Sequence, residues 1–236
     1  MLTHASVDFG GAGSEATFFS GKRPGRRETD EELQVAKLYF SYASMGAGKS
    51  AYLLQTNFNY TERGMTSLLL TAALDDRYGA GKITSRIGME ADAKTFAPTD
   101  DLLETFILPA LREGVSAVLV DEAQFLQPEQ VWQLAEAVDR FDVPVMCFGL
   151  RTSFTGDLFP GSAALLAAAD QMREIKTICC CGKKATYVLR KDATGQPTFS
   201  GAQVQIGGND SYLPVCRKHW MEAWIAAGRP RIPGTA

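Results

Sequence analysis

From residue 36 onward the chain alternates short, nearly unbroken apolar runs with longer amphipathic stretches. The runs cover residues 36–42, 67–73, 116–120 and 143–150. Unbroken apolarity of this length is expected of strands covered on both faces, which is the situation in parallel sheets. Between the runs the period changes to that of a helix. Leu103, Phe106, Ile107 and Ala110 fall on one face behind a Thr99/Asp100 cap. Val131, Leu134, Val138 and Phe141 do the same behind Pro128, a favoured first-turn residue. The alternation predicts an α/β fold with right-handed crossovers and a mostly parallel sheet.

The two ends read differently. Residues 1–34 are rich in Gly, Ser and charge, with Lys22, Arg23, Arg26 and Arg27 followed by Glu28, Asp30, Glu31 and Glu32. Such a segment buries too little apolar surface to offset its ordering entropy, so it is expected to be a disordered extension. Residues 35–175 form the predicted α/β domain. Beyond them, residues 185–190, 203–206 and 212–215 read as short strands separated by Gly-bearing loops and flanked by cysteines. Residues 176–224 are therefore expected to be a small metal-dependent module, and 225–236 an irregular tail.

Composition narrows the chemistry. Among 236 residues only His4 and His219 are histidines, which excludes a His-rich catalytic metal site and leaves acid–base work to a carboxylate. A net charge of −3 argues against a generic nucleic-acid-binding surface. No apolar run approaches the ~20 residues that span a bilayer, and no signal peptide is recognisable before residue 35. A cytoplasmic protein with no membrane partner is expected. In that compartment clustered cysteines read as metal ligands before disulfides.

Ala43-Ser44-Met45-Gly46-Ala47-Gly48-Lys49-Ser50 follows the first apolar run and opens a helical pattern, the context a P-loop requires. Backbone N–H groups of such a turn hold phosphate oxygens, the lysine neutralises the β- and γ-phosphates, and the serine ligates Mg²⁺. Ala43 stands where the usual pattern has its first glycine. About 70 residues later Val118-Leu119-Val120 runs into Asp121-Glu122-Ala123-Gln124, an apolar strand ending in an acidic pair. Asp121 is placed to hold Mg²⁺ through water and Glu122 to take a proton from an attacking nucleophile. Water as acceptor would make an ATPase, in keeping with the helicase-like Asp-Glu-Ala-Gln run, and a substrate hydroxyl would make a small-molecule kinase. A third possibility is a non-catalytic nucleotide-sensing or zinc-binding scaffold.

Cys216-Arg217-Lys218-His219 is one standard half of a tetrahedral zinc site. The other half is atypical. Ile178 occupies the place of the first ligand, and Cys179 and Cys181 make a tight Cys-x-Cys pair that would leave Cys180 pointing the other way. Four protein ligands leave no open position, so the zinc would be structural. Free buried cysteines are the alternative, and Cys147, inside an apolar run, reads simply as core.

These landmarks together resemble the zinc-containing P-loop thymidine kinases, closest to their bacterial branch. The resemblance spans residues 36–221. Besides the P-loop and the acidic pair it is carried by Tyr60-Thr61-Glu62-Arg63-Gly64-Met65, by Asp75-Asp76-Arg77-Tyr78-Gly79-Ala80-Gly81-Lys82, and by Phe148-Gly149-Leu150-Arg151-Thr152 with Phe154 and Phe159. Thr177-Ile178-Cys179-Cys180-Cys181-Gly182, Ile206-Gly207-Gly208-Asn209 and Val215-Cys216-Arg217-Lys218-His219 complete it. The fold it implies is a P-loop (RecA-like) sheet with a small zinc-binding lasso domain. The activity it implies is transfer of the ATP γ-phosphoryl group, with Mg²⁺, to the 5′-hydroxyl of thymidine or deoxyuridine. By the same resemblance Glu122 is the general base. Residues Ala43 to Ser50, Asp75, Arg77, Asp121 and Gln124 attend the nucleotide. Met45, Phe125, Leu150, Phe154, Phe159 and Tyr212, with Gln203, Val204, Gln205, Ile206 and Gly207 of the lasso, attend the nucleoside. Cys179, Cys181, Cys216 and His219 hold the zinc. Inhibition by dTTP and a homotetramer are further implications of the resemblance.

Overall fold

The computed structural model describes residues 35–74, 81–201 and 211–228. The strands of the larger part are β1 (Leu38–Ala43), β2 (Ser67–Ala72), β3 (Lys82–Thr84), β4 (Glu90–Asp92), β5 (Lys94–Phe96), β6 (Ala117–Val120), β7 (Val145–Leu150) and β8 (Gln171–Glu174). Its helices are α1 (Lys49–Glu62), α2 (Leu108–Arg112), α3 (Pro128–Phe141) and α4 (Pro160–Ala168). Six of the strands form one sheet in the order β5-β2-β6-β7-β1-β8, and every pairing in it is parallel. Leu38, Phe40, Leu70, Val118, Val120, Val145 and Cys147 are buried in its core, which explains why their runs carry almost no polar residue.

Each apolar run of the sequence became a strand with its ends shifted by at most two residues. The edge strands β5 and β8 have no counterpart among those runs. Both are short and largely polar, Lys94-Thr95-Phe96 and Gln171-Met172-Arg173-Glu174, and are recruited by pairing with β2 and β1.

The helix expected from Leu103 begins as a wide π-turn over Leu103–Ile107 before tightening into α2. Pro109 is the cause: it offers no N–H to the carbonyl four residues back, and its ring crowds that carbonyl. The cap also differs from expectation. Asp101 Oδ1 accepts the Glu104 N–H at 3.0 Å, whereas Asp100 Oδ2 turns back to Ala97 N–H at 2.7 Å. α3 starts at Pro128 as expected, with a reciprocal cap between Gln127 and Gln130.

The cysteine-bearing part contains β9 (Thr177–Ile178), β10 (Lys184–Ala185), β11 (Tyr187–Lys191), β12 (Pro197–Thr198), β13 (Tyr212–Val215) and α5 (Arg217–Ala226). Its own cluster is small: Leu189, Phe199, Val215, Trp220 and Trp224 with Cys179 and Cys216. Trp220 and Trp224 stack with centroids 5.1 Å apart. The strand expected over 203–206 lies outside the described residues, as do residues 1–34 and 229–236.

Candidate active site

In a parallel sheet the strand ends carrying the crossovers to the following helices all lie at one edge, and ligands bind there. β1 and β6 are separated in the sheet by β7 alone, so the loop after β1 and the acidic turn after β6 face one crevice. Ala43 is still inside β1, paired with Leu150, and needs no left-handed backbone. Ser44 is buried beneath the loop. The left-handed conformations fall on Gly46 (φ 74°) and Gly48 (φ 83°), after which α1 begins at Lys49. The turn geometry is therefore supplied without a glycine at residue 43. Ala47 completes the loop between the two glycines. Lys49 is buried, and its Nζ donates to the Ser44 carbonyl at 3.4 Å, folding the ammonium over the loop.

Asp121 directly follows β6 and is almost fully buried. Its carboxyl accepts hydrogen bonds from the Ser50 hydroxyl and from the Glu122 N–H, the latter at 3.0 Å. Burial and the neighbouring Glu122 charge push its pKa up to about 7, against the pull of those hydrogen bonds and of Lys49. The native state thus holds a proton that the unfolded chain releases near pH 4. Stability contributed at this position is present below about pH 4 and is lost as pH rises to about 7. Asp121→Asn is expected to raise the melting temperature of the nucleotide-free protein by about 5 °C at pH 8, and to do little at pH 4. Calorimetry showing the same shift at both values would remove this account.

Glu122 sits in the left-handed region (φ 50°, ψ 37°), a conformation costly for any side chain with a Cβ. Its surroundings enforce it. The Gln124 amide donates to Glu122 Oε2, and Gln124 Oε1 accepts the Leu150 N–H at 2.9 Å. Two glycines allow the turn to pack this tightly. A methyl on Gly149 would come within 2.9 Å of Gln124 Oε1, and one on Gly161 within 2.5 Å of the Leu126 carbonyl. Gly161→Ala is expected to destabilise the fold and to lower turnover together, which a thermal melt and a rate assay on one preparation would check.

One cleft of about 280 Å³ is lined by P-loop residues, the acidic pair and a group of aromatics. Met45, Gly46, Gly48, Lys49, Ser50, Asp121, Glu122 and Gln124 line it from the P-loop and the acidic turn. Phe125, Leu150, Phe154, Phe159 and Tyr212 line it as well, and Phe125 meets Phe159 edge-on at 6.0 Å. Asp75, Arg77 and residues Gln203, Val204, Gln205, Ile206 and Gly207 lie outside the described residues. Several lining residues carry no sequence signal. Val188 reads as ordinary strand core, while Arg86 and Ile87 belong to the β3–β4 hairpin, which no motif marks.

Phe154 of the cleft lining is tied to the cysteine module. Trp220 Nε1 donates to the Phe154 carbonyl at 2.9 Å, and the Arg190 guanidinium stacks 3.8 Å from the Phe154 ring centroid.

Within that module the ligand atoms of Cys179, Cys181, Cys216 and His219 all lie within 4.8 Å of one another. Cys181 and Cys216 sulfurs are 3.9 Å apart, and Cys216 Sγ is 3.6 Å from His219 Nδ1. Around a tetrahedral zinc these separations would be roughly 3.8 Å and roughly 3.5 Å, given the usual Zn–S and Zn–N bond lengths. The donor set and its spacing fit the ion. Burial raises the Cys179 pKa, but backbone N–H groups of Cys181 and Cys216 and the His219 ring lower it further, to about 5. A thiolate is the form a metal needs.

Cys180 departs from expectation. Its sulfur approaches both Cys179 Sγ and His219 Nδ1 at 3.8 Å, because Cys179 to Gly182 form a tight turn closed by Gly182 N–H to Cys179 O, not an extended strand with alternating side chains. It nonetheless falls outside the four-atom cluster. Cys180→Ser is expected to retain its metal on elemental analysis. Metal loss in that variant would move Cys180 into the ligand set.

Comparison with known proteins agrees with this geometry. The family model described as thymidine kinase matches residues 36–220. The thymidine kinase of Ruegeria pomeroyi is 60% identical over 190 residues, 80% of this chain and 96% of the relative. That of a Jannaschia species is 58% identical over 190 residues, 80% of this chain and 97% of the relative. That of Shewanella oneidensis is 55% identical over 188 residues, 80% of this chain and 98% of the relative. With its phosphate loop, acidic turn and aromatic pocket sharing one cleft, and with this similarity running through all of them, the chain belongs to the thymidine kinase family, a family of nucleoside-phosphorylating phosphotransferases.

Proposed function

We propose that this enzyme transfers the γ-phosphoryl group of ATP to the 5′-hydroxyl of thymidine, giving dTMP and ADP. The observation that carries the reading is one cleft lined both by a P-loop lysine with an acidic pair and by a group of aromatics. A flat base carrying a methyl group suits stacking and an apolar niche, which Phe125, Phe154, Phe159 and Leu150 offer, with Met45 and Tyr212 also lining the cleft. Residues 203–207 complete the base site in this reading, their backbone groups pairing with its polar edge.

Glu122 takes the proton of the 5′-hydroxyl as its oxygen bonds to the γ-phosphorus, and the bond from that phosphorus to the β–γ bridging oxygen breaks, leaving ADP. The loop from Ala43 through Ala47 to Gly48 presents N–H groups to the phosphates and Lys49 offsets their charge, while the family resemblance assigns Asp75 and Arg77 to the same phosphates. Ser50 and Asp121 would hold Mg²⁺, with Gln124 beside them. Asp121, buried and without a full counter-charge, fits a dication. When bound, the ion supplies charge neutralisation on the transferring group. Cys179, Cys181, Cys216 and His219 would hold a zinc ion whose part is to fix the module. Residues 35–175 act as the kinase domain and 176–224 as the zinc-bearing lasso domain.

The similarity to bacterial thymidine kinases supports extending the reading to deoxyuridine as acceptor, dTTP as inhibitor, a cytoplasmic setting and a homotetramer. No described helix is long and apolar enough to cross a membrane. The test is a coupled ADP assay. ADP release is expected only when thymidine is present. Release stimulated by DNA and indifferent to thymidine would replace this reading with that of a nucleic-acid ATPase.

A further inference from the structure

The β3–β4 hairpin has no part in the mechanism above, yet its tip stands over the phosphate loop. Ile83 anchors it, buried with Leu53 and Leu54 of α1, the helix that the loop opens. The tip itself is closely built. Ser85 N–H donates to the Met89 carbonyl at 2.8 Å, Met89 N–H to Ser85 Oγ at 3.0 Å, and Gly88 turns with φ 85°. Such a turn leaves its two central side chains, Arg86 and Ile87, projecting from a rigid frame.

Arg86 points back at the loop. A methyl built on Gly46 would lie 3.1 Å from Arg86 Nη1, so the guanidinium rests against the backbone that a P-loop turns toward its phosphates. Arg86 also lines the cleft shared by Lys49, Asp121 and Glu122. Among the described residues it has no carboxylate partner, whereas Lys82 on the same hairpin is paired with Glu90 at 3.5 Å. An unpaired guanidinium held on a rigid tip beside an anion cradle is placed to receive charge that develops during phosphoryl transfer.

We infer that Arg86 is a further catalytic residue, a guanidinium supplied from within the chain that stabilises the transferring phosphoryl group in the transition state. This rests on the reading of the cleft as a phosphoryl-transfer site. The role is that of an arginine finger, with a planar fork of donors meeting the oxygens spread around the phosphorus. Lys49 stays in place when Arg86 is removed, so the loss should be below the largest known for such fingers.

The experiment compares wild type, Arg86→Ala and Arg86→Lys in the thymidine-dependent assay, with ATP affinity measured separately by calorimetry. Arg86→Ala is expected to lower kcat about 100-fold while ATP affinity stays within about threefold. Arg86→Lys should recover part of the rate. Guanidinium ion at millimolar concentration should partly rescue Arg86→Ala and leave Glu122→Gln unaffected. Melting curves and retained ATP binding guard against a folding defect, and should the alanine variant fail to fold, the lysine variant carries the same comparison. A kcat within threefold of wild type, or an effect confined to ATP affinity, would overturn the inference. A wild-type protein inactive with thymidine would instead overturn the reading beneath it.

Discussion

Glu122→Gln is expected to lower kcat by about three orders of magnitude while leaving ATP affinity nearly unchanged, the scale associated with losing a general base. The substitution is close to isosteric, so the left-handed turn at φ 50° and its packing against Gly149 and Gly161 should survive. What it removes is the proton acceptor. Gln124 already donates to Glu122 Oε2, which fixes the carboxylate on the wall of the cleft. An amide at residue 122 could still hydrogen-bond a 5′-hydroxyl, yet could not take its proton. Thymidine KM should therefore shift little compared with kcat. Steady-state kinetics with both substrates varied, beside calorimetric ATP binding, would separate the two. A kcat within threefold of wild type would take the base role from Glu122.

The same neighbourhood shows what a sequence can and cannot declare. The strands β2, β6 and β7 were legible because burial on both faces forces apolar runs, and the loop after β1 was legible because phosphate binding demands glycine, lysine and serine at fixed spacing. β5 and β8 were not, since edge strands this short are set by their partner and not by their own residues. Pro109 was visible in the sequence but its effect was not: an apolar face at helical spacing looks the same whether the first turn is π or α. Gly161 is silent as well. Only the close approach of the Leu126 carbonyl shows why a glycine stands there. Arg86 stayed hidden because an isolated arginine in a polar hairpin has no periodicity, and only folding brings it beside Gly46. The aromatics Phe154 and Phe159 were nameable as pocket residues through family resemblance alone, because an apolar side chain in a core and one in a binding pocket share the same pattern.

Removing a cysteine or histidine from the cluster is expected to abolish tight thymidine binding, although none of these groups faces the cleft. The module has too small an apolar cluster to stand alone, so its shape depends on what ties Cys179 and Cys181 to the start of α5. Cys216 is the cap of that helix and His219 lies in its first turn, one residue before Trp220. Trp220 in turn holds the Phe154 carbonyl, and Arg190 of β11 stacks on the Phe154 ring. Loss of a metal held there would therefore reach the aromatic lining of the cleft through two direct contacts. Cys216→Ser or His219→Ala should release about one zinc per chain and raise thymidine KM at least about tenfold, with ATP affinity changed much less. Two of the three tryptophans, Trp220 and Trp224, sit in the module, while Trp132 lies exposed on α3, so intrinsic fluorescence should report the loosening directly. Absence of zinc from the wild-type protein would defeat the metal assignment. A zinc-free variant that kept both the wild-type KM and the wild-type fluorescence would show instead that Phe154 is positioned by the larger sheet alone.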